Sequence, residues 1–324
     1  MPRSFLLLLV VAGLAFSLAC SDSDSDSDSN KVVATTTQIG DLARNVGGDR
    51  IDLTVLRRPN QDAHEIAPEP SQIRALNDAD VVLRNGIGLD TFVTKDLTGG
   101  TDRVTIVTQK VALREATGEH EHGDEDEHED EDHEEDEAAE AEAAGHDPHV
   151  WLDVANAKLM VEAIRDALVA ADATNADFYT ENATTNLRQL DTLDNDVRRT
   201  IESIPTACRK LVTNHDAMGY FAAAYGLTVV GSVIPSASTN AQPSAADVAD
   251  IVDKIRAERV PAVFAEASIN PALIEQVGRE AGVTVVDDIY SDSLGAANSD
   301  GGTYVDMMRA NSEKIAAALQ GCTA

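Results

Sequence analysis

The stretch NADFYTENATTNLRQLDTLDNDVRRTIESI, Asn175–Ile204, contains no Gly and no Pro before Pro205. Both residues interrupt helices, so this uninterrupted run predicts one continuous helix of about 40–45 Å at 1.5 Å per residue. On each side of it the chain alternates apolar strands with amphipathic helices. Upstream, strands are expected at 31–36, 51–56, 80–84 and 104–107. Between them lie a helix over 38–46, stopped by Gly47-Gly48, and a shorter one opening at Pro70-Ser71. Ala155–Ala171 follows with Leu159, Ala163, Ile164 and Leu168 on one side of a helix. Downstream, strands at 211–213, 228–233, 262–265 and 283–286 alternate with helices over 217–225, 245–258, 271–281 and 304–319. This rhythm implies parallel sheets covered on both faces. The expected architecture is α/β: two βα lobes, 31–173 and 205–324, joined by one long rigid helix within 174–204.

The histidines point to the chemistry. The chain has eight, and they fall in three places: His64, His215, and a group of six, His120, His122, His128, His133, His146 and His149, in or just after a run of Asp and Glu. Imidazole is the commonest metal ligand, and zinc accepts imidazole and carboxylate together. In open parallel sheets, ligands bind beyond the carboxyl ends of the strands. His64, His149, His215, Glu266 and Asp292 all follow an expected strand. Two facing lobes can bring His64 and His149 from one side to meet His215 and Asp292 from the other, with the metal in the cleft. Three imidazoles and a carboxylate suit zinc and tolerate manganese. Glu266 is then placed to orient a ligand imidazole through its other ring nitrogen. Taken singly, each of these histidines also reads as a buried, unligated core residue; it is their joint placement that favours the metal site.

The flanks say where the protein works. Arg3 precedes an apolar run from Phe5 to Ala19 that ends at Cys20. The run is short for a bilayer span and has the layout of a signal peptide, residues 1–19. Ser17-Leu18-Ala19-Cys20 resembles a lipoprotein cleavage site, with Cys20 as the acylated residue, although Ser17 stands where Leu is usual. An ordinary signal peptide with an incidental Cys is the alternative. The Ser/Asp repeat over 20–30 cannot pack and reads as a solvated tether. Net charge is −32, of which the tether contributes four acids and Glu119–Glu142 sixteen; without those twenty the chain stands at about −12. No basic stripe exists to neutralise phosphates, so nucleic-acid binding is not expected. Cys208 and Cys322 are the remaining cysteines, and they allow one intramolecular bridge if the fold brings them together.

Four motifs carry a resemblance. Gln61-Asp62-Ala63-His64-Glu65-Ile66-Ala67-Pro68, Asp147-Pro148-His149-Val150-Trp151-Leu152-Asp153, Asn214-His215-Asp216-Ala217-Met218-Gly219-Tyr220-Phe221 and Ile289-Tyr290-Ser291-Asp292-Ser293-Leu294 occur in that order. Together they resemble the signature stretches of the zinc/manganese substrate-binding lipoproteins of bacterial metal ABC importers, from Lys31 to the end. The resemblance implies metal ligands at His64, His149, His215 and Asp292. It also implies a membrane permease with a cytoplasmic ATPase as partners, and a monomeric protein held outside the cell membrane by a lipid anchor. Ala63 stands where Pro is frequent and Ile66 where an aromatic is common; neither is a ligand.

The acidic segment 119–145 reads as a disordered loop of the first lobe. Its histidines, His120, His122, His128 and His133, with His146 beside it, are expected either to collect metal weakly near the cleft or simply to sit in a charged spacer. An enzyme is not expected. The fourth ligand, Asp292, closes a site that a metallohydrolase would leave open, and there is no His-Glu-x-x-His or Gly-x-Ser-x-Gly. Gly86-Ile87-Gly88 lacks the third glycine of a dinucleotide fingerprint. A metal-chelate binder would need aromatics or arginines around its ligand, and aromatics are 4% of the chain. Trp151 is expected to pack. Surface adhesion is neither supported nor excluded. Zinc capture is the leading expectation and manganese the alternative, with affinity falling below about pH 6 as imidazoles protonate.

Overall fold

The computed structural model describes residues 29–64, 68–116 and 145–322. The expected signal peptide, Cys20, most of the tether, and the loop histidines His120, His122, His128 and His133 lie outside the described residues. Among the described residues no helix is long and apolar enough to cross a membrane.

The first lobe holds β1 (Asn30–Ala34), α1 (Thr37–Gly47), β2 (Ile51–Val55), α2 (Pro70–Asp78), β3 (Val81–Arg84), α3 (Phe92–Asp96), β4 (Val104–Ile106) and α4 (Val154–Ala171). Its four strands are parallel in the order β2-β1-β3-β4. The second lobe holds β5 (Lys210–His215), α6 (Gly219–Tyr225), β6 (Thr228–Ile234), α7 (Ala245–Glu258), β7 (Ala262–Glu266), α8 (Ala272–Ala281), β8 (Thr284–Ile289) and α9 (Tyr304–Leu319). Its sheet repeats the same parallel order, β6-β5-β7-β8. In both sheets the chain reverses direction of travel between the first and third strands of the lobe, β1/β3 and β5/β7. That reversal opens a crevice at the strands' carboxyl ends. The expected elements are present within a few residues. The short α3 was not anticipated, and β1 begins at Asn30, inside the stretch read as tether.

Between the lobes runs α5 (Ala176–Glu202), 27 residues long. Asp177 in its first turn and Arg199 in its last both complement the helix dipole. Tyr179, Ala183, Asn186, Leu190, Leu193, Val197 and Ile201 are buried, spaced three or four apart, so one face of the helix is a continuous stripe. That stripe packs against α1 and α4 of the first lobe and α9 of the second. The connector is therefore a splint bonded to both lobes along its length, not a free spacer.

One apolar cluster follows from this. It runs from Val32 and Ile39 through Leu190 and Ile201 to Leu211, Phe221, Met307 and Leu319. Two smaller clusters cover the outer sheet faces, one around Val33, Leu76 and Phe92, the other around Val212, Val263 and Ile274. A disulfide joins Cys208 to Cys322, with Cα atoms 6.0 Å apart, and pins the end of α9 beside the start of β5. Leu190 is fully buried in the shared core. Leu190→Ala is expected to destabilise the fold by about 2–5 kcal/mol, the usual cost of truncating a core leucine, read as a lower midpoint in denaturant unfolding.

Candidate metal centre

His215 is the last residue of β5 and Glu266 the last residue of β7, so both stand at the second lobe's sheet reversal. Glu266 grips its neighbour twice: the His215 backbone N–H donates to Glu266 Oε1 at 2.9 Å, and His215 Nδ1 lies 2.9 Å from Glu266 Oε2. Asn214 fixes the register by accepting the Glu266 N–H at 2.8 Å, and the Ser291 hydroxyl donates to Glu266. The His215 ring is thereby turned so that Nε2 faces the cleft.

His149 is held differently. It does not leave a strand directly. Its segment follows a short antiparallel neck in which Glu115 bridges His146 and Ala116 N–H donates to the Gly145 carbonyl at 2.8 Å. Asn85, just beyond β3, donates from Nδ2 to the Pro148 carbonyl at 3.1 Å and docks this segment on the first lobe's sheet reversal. Asp147 then binds both the His149 N–H at 3.0 Å and His149 Nδ1 at 2.7 Å through one oxygen. Asp153 ends the motif as the N-cap of α4, accepting from Ala155 N–H at 2.8 Å. The intervening Val150, Trp151 and Leu152 are fully buried. Trp151 packs, as expected, and its indole N–H also donates to the Ser291 carbonyl at 2.8 Å, across the seam.

His64 sits on a loop turned by Asn60, whose φ is 58°. Its backbone N–H donates to Asp62 Oδ1 at 2.8 Å, while Asp62 Oδ2 accepts from Thr239 of the second lobe at 2.6 Å. Asp292 lies on the loop after β8. That loop is tied to the first lobe by Leu294 N–H donating to Thr37 Oγ1 at 2.8 Å and Asn60 N–H to the Leu294 carbonyl at 3.0 Å.

The four side chains converge. His149 Nε2 lies 3.1 Å from His64 Nε2 and 3.2 Å from His215 Nε2. Asp292 Oδ1 is 3.2 Å from His149 Nε2, 3.4 Å from His215 Nε2 and 3.9 Å from His64 Nε2. All four are buried, and their ligand atoms form the only such His/Cys/Asp/Glu group among the described residues. Ligands at the usual zinc distance of about 2.0–2.1 Å define a tetrahedron with edges of about 3.3–3.4 Å, close to the four shorter separations, while the group as a whole lies within 4.8 Å. The most exposed of the four is His64, at 8%, on the side of a polar cavity of about 800 Å³ lined in part by Arg58, Asp62, Glu69, Thr239 and Ser268. His146, in the loop's neck, is not in the group.

Charge in the seam is distributed unevenly. Burial opposes protonation of His149, but its hydrogen bonds to Asp147 and Asp292 outweigh that and push it up to about 9. His215 is raised well above the ordinary imidazole value, burial again being overcome, here by Glu266 and Asp292. His64 goes the other way, down to about 3, because burial and the two neighbouring imidazoles outweigh Asp292. Asp292 is held well below the usual carboxylate range: burial works against it, but His215 and His149 prevail.

Comparison with known proteins settles the class. Residues 32–318 match the family described as ZnuA, zinc-uptake complex component A, periplasmic. The chain belongs to this family. It is 30% identical to the manganese-binding lipoprotein MntA of Halalkalibacterium halodurans, over 89% of this chain and 88% of the relative. It is also 30% identical to the manganese ABC transporter substrate-binding lipoprotein PsaA of Streptococcus pneumoniae, over 97% of both chains. Among solved structures, the periplasmic zinc-binding protein TroA from Treponema pallidum superposes with a TM-score of 0.75 at 29% identity, covering 89% of this chain and 98% of that one. The protein is thus the extracytoplasmic, metal-binding subunit of an ABC importer, which implies a permease and an ATPase as partners, and it is not an enzyme.

Sequence reasoning assigned no role to Asp147, Asn85, Asp62 or Ser268. The Asp-x-His spacing shared by Asp62/His64 and Asp147/His149 was the available signal for two of them.

A metal held by these imidazoles would compete with protons for them. With His149 pushed up to about 9 and His215 also raised, the imidazoles favour protons at pH 7 that a cation would displace. Affinity is therefore expected to rise as pH climbs from 6 towards 9, each displaced proton adding up to about tenfold per pH unit. Calorimetry at pH 7 in buffers of different ionisation enthalpy should show at least one proton released per metal bound.

Proposed function

We propose that the protein captures zinc outside the cytoplasmic membrane and delivers it to the permease, with His64, His149, His215 and Asp292 as its ligands. The observation that carries this reading is the cage itself. Three imidazole nitrogens and one carboxylate oxygen converge within 4.8 Å of one another, four of their separations lying at 3.1–3.4 Å, near the edge of the tetrahedron that zinc forms with such ligands. The other oxygen of Asp292 is engaged by Ser268 at 3.2 Å, so the site offers four donors. Manganese favours more oxygen ligands and binds a given nitrogen-rich site more weakly than zinc. Manganese uptake is the second reading, and what favours it is that MntA and PsaA are named for manganese.

Glu266 and Asp147 orient His215 and His149 in this proposal. The lobes comprise 31–173 and 205–324, with 174–204 between them, and the chain works as a monomer anchored through Cys20. The relatives' designation as lipoproteins supports the anchor. His120, His122, His128 and His133, with His146 at the neck, gather metal weakly for the cleft. The splinted helix and the many bonds across the seam support small local movements on release rather than wide closure.

Competition titration of zinc and manganese on a form lacking 119–144 tests this. One tight zinc site is expected, with manganese much weaker. His215→Ala should lose tight binding, by at least about a hundredfold, since it removes a ligand and leaves Glu266 without its buried partner. Tight manganese binding with weak zinc would move the assignment to manganese, and no tight site in the shortened form would place the metal in the loop.

A further inference from the structure

Ser268 separates the metal cage from the polar cavity at the cleft mouth. It follows β7 by two residues, is half-buried, and lines that cavity. Its hydroxyl donates to Asp292 Oδ2 at 3.2 Å. The two oxygens of Asp292 thus have different surroundings. Oδ1 faces the three imidazole Nε2 atoms at 3.2, 3.4 and 3.9 Å and no hydroxyl or amide. Oδ2 faces Ser268. Asp292 is fully buried, and the rest of its loop is fixed at Leu294 by Thr37 and Asn60 and at Tyr290 by Asn311, so the carboxylate's orientation depends on what each oxygen meets.

We propose that Ser268 is a specificity-determining residue: by occupying Asp292 Oδ2 it restricts the carboxylate to one metal bond and selects a four-coordinate cation over larger ones that need more oxygen donors. The physical reason is a competition for a single oxygen. A cation that takes Asp292 through both oxygens must share Oδ2 with the Ser268 hydroxyl, which already engages one of its lone pairs and draws charge from it, whereas a cation satisfied by Oδ1 leaves that hydrogen bond undisturbed. Zinc is content with four ligands; manganese prefers about six, rich in oxygen. The serine therefore raises the cost of the manganese geometry without touching either metal. Partners of metal ligands shift affinity by about 10–100-fold, enough to decide between competing cations.

This inference rests on the four-ligand assignment but not on zinc being the native cargo, because its measure is the change in the zinc-to-manganese ratio between variants. The full chain, Ser268→Ala and Ser268→Thr are titrated with zinc and manganese in competition. Cobalt(II) serves as a spectroscopic probe, since its visible bands are intense in tetrahedral sites and weak in five- or six-coordinate ones. Ser268→Ala is expected to shift the affinity ratio about tenfold towards manganese and to weaken the cobalt bands; Ser268→Thr, which keeps the hydroxyl, should retain the parent ratio and spectrum. A parent that prefers manganese would overturn the zinc assignment while leaving the shift in Ser268→Ala as the test of the serine. If the alanine and threonine variants share the parent's ratio and its cobalt spectrum, Ser268 does not select the metal.

Discussion

The structure depends on keeping three imidazoles and a carboxylate within 4.8 Å of one another in a place water barely reaches. Such a group is unfavourable without a cation at its centre, since burying polar and charged groups costs several kcal/mol unless each is paired. The surrounding structure supplies that pairing one residue at a time. Asp147 and Glu266 each bind both the backbone and the ring of the histidine they orient. Asn214 and Ser291 bind Glu266, Asn85 holds the segment that carries His149, and Asp62 holds the loop of His64. Each ligand ring or loop is fixed from behind, leaving one nitrogen to face inward.

Protons fill the electrostatic role of the cation when it is away. Carboxyl groups close to His149 and His215 favour imidazolium there, while His64, crowded by its two cationic neighbours, stays neutral. A site of this kind exchanges one positive occupant for another, so the net change in buried charge on binding is smaller than the charge of the metal. The seam around it is densely hydrogen-bonded, with Trp151 tied to Ser291 and Leu294 to Thr37.

Much of this was legible in the sequence because its signals are local. Apolar runs marked the strands, the absence of Gly and Pro marked α5, and placement at strand ends singled out the histidines and Glu266. What could not be read depends on residues distant in sequence and close in space. Ser268 meets Asp292 from 24 positions away, and Asn85 meets Pro148 from 63. The role of α5 also changed. Its length was evident, but its burial against α1, α4 and α9 is a property of packing, and this makes the joining helix part of the core. The disulfide belongs to the same class: two cysteines permit a bridge, and only the return of α9 to the start of β5 closes it.

The shared core has a consequence for how the chain comes into being. The cluster that covers the first lobe's sheet includes residues from α5 and is continuous with Met307 and Leu319 at the far end of the sequence. As the chain is synthesised, the part of the α5 stripe that receives α9 stays uncovered until that last helix arrives. Folding to completion is thereby deferred to the end of translation. For a polypeptide that works outside the cytoplasm, the arrangement that locks the lobes together is also the one that keeps them from locking too early.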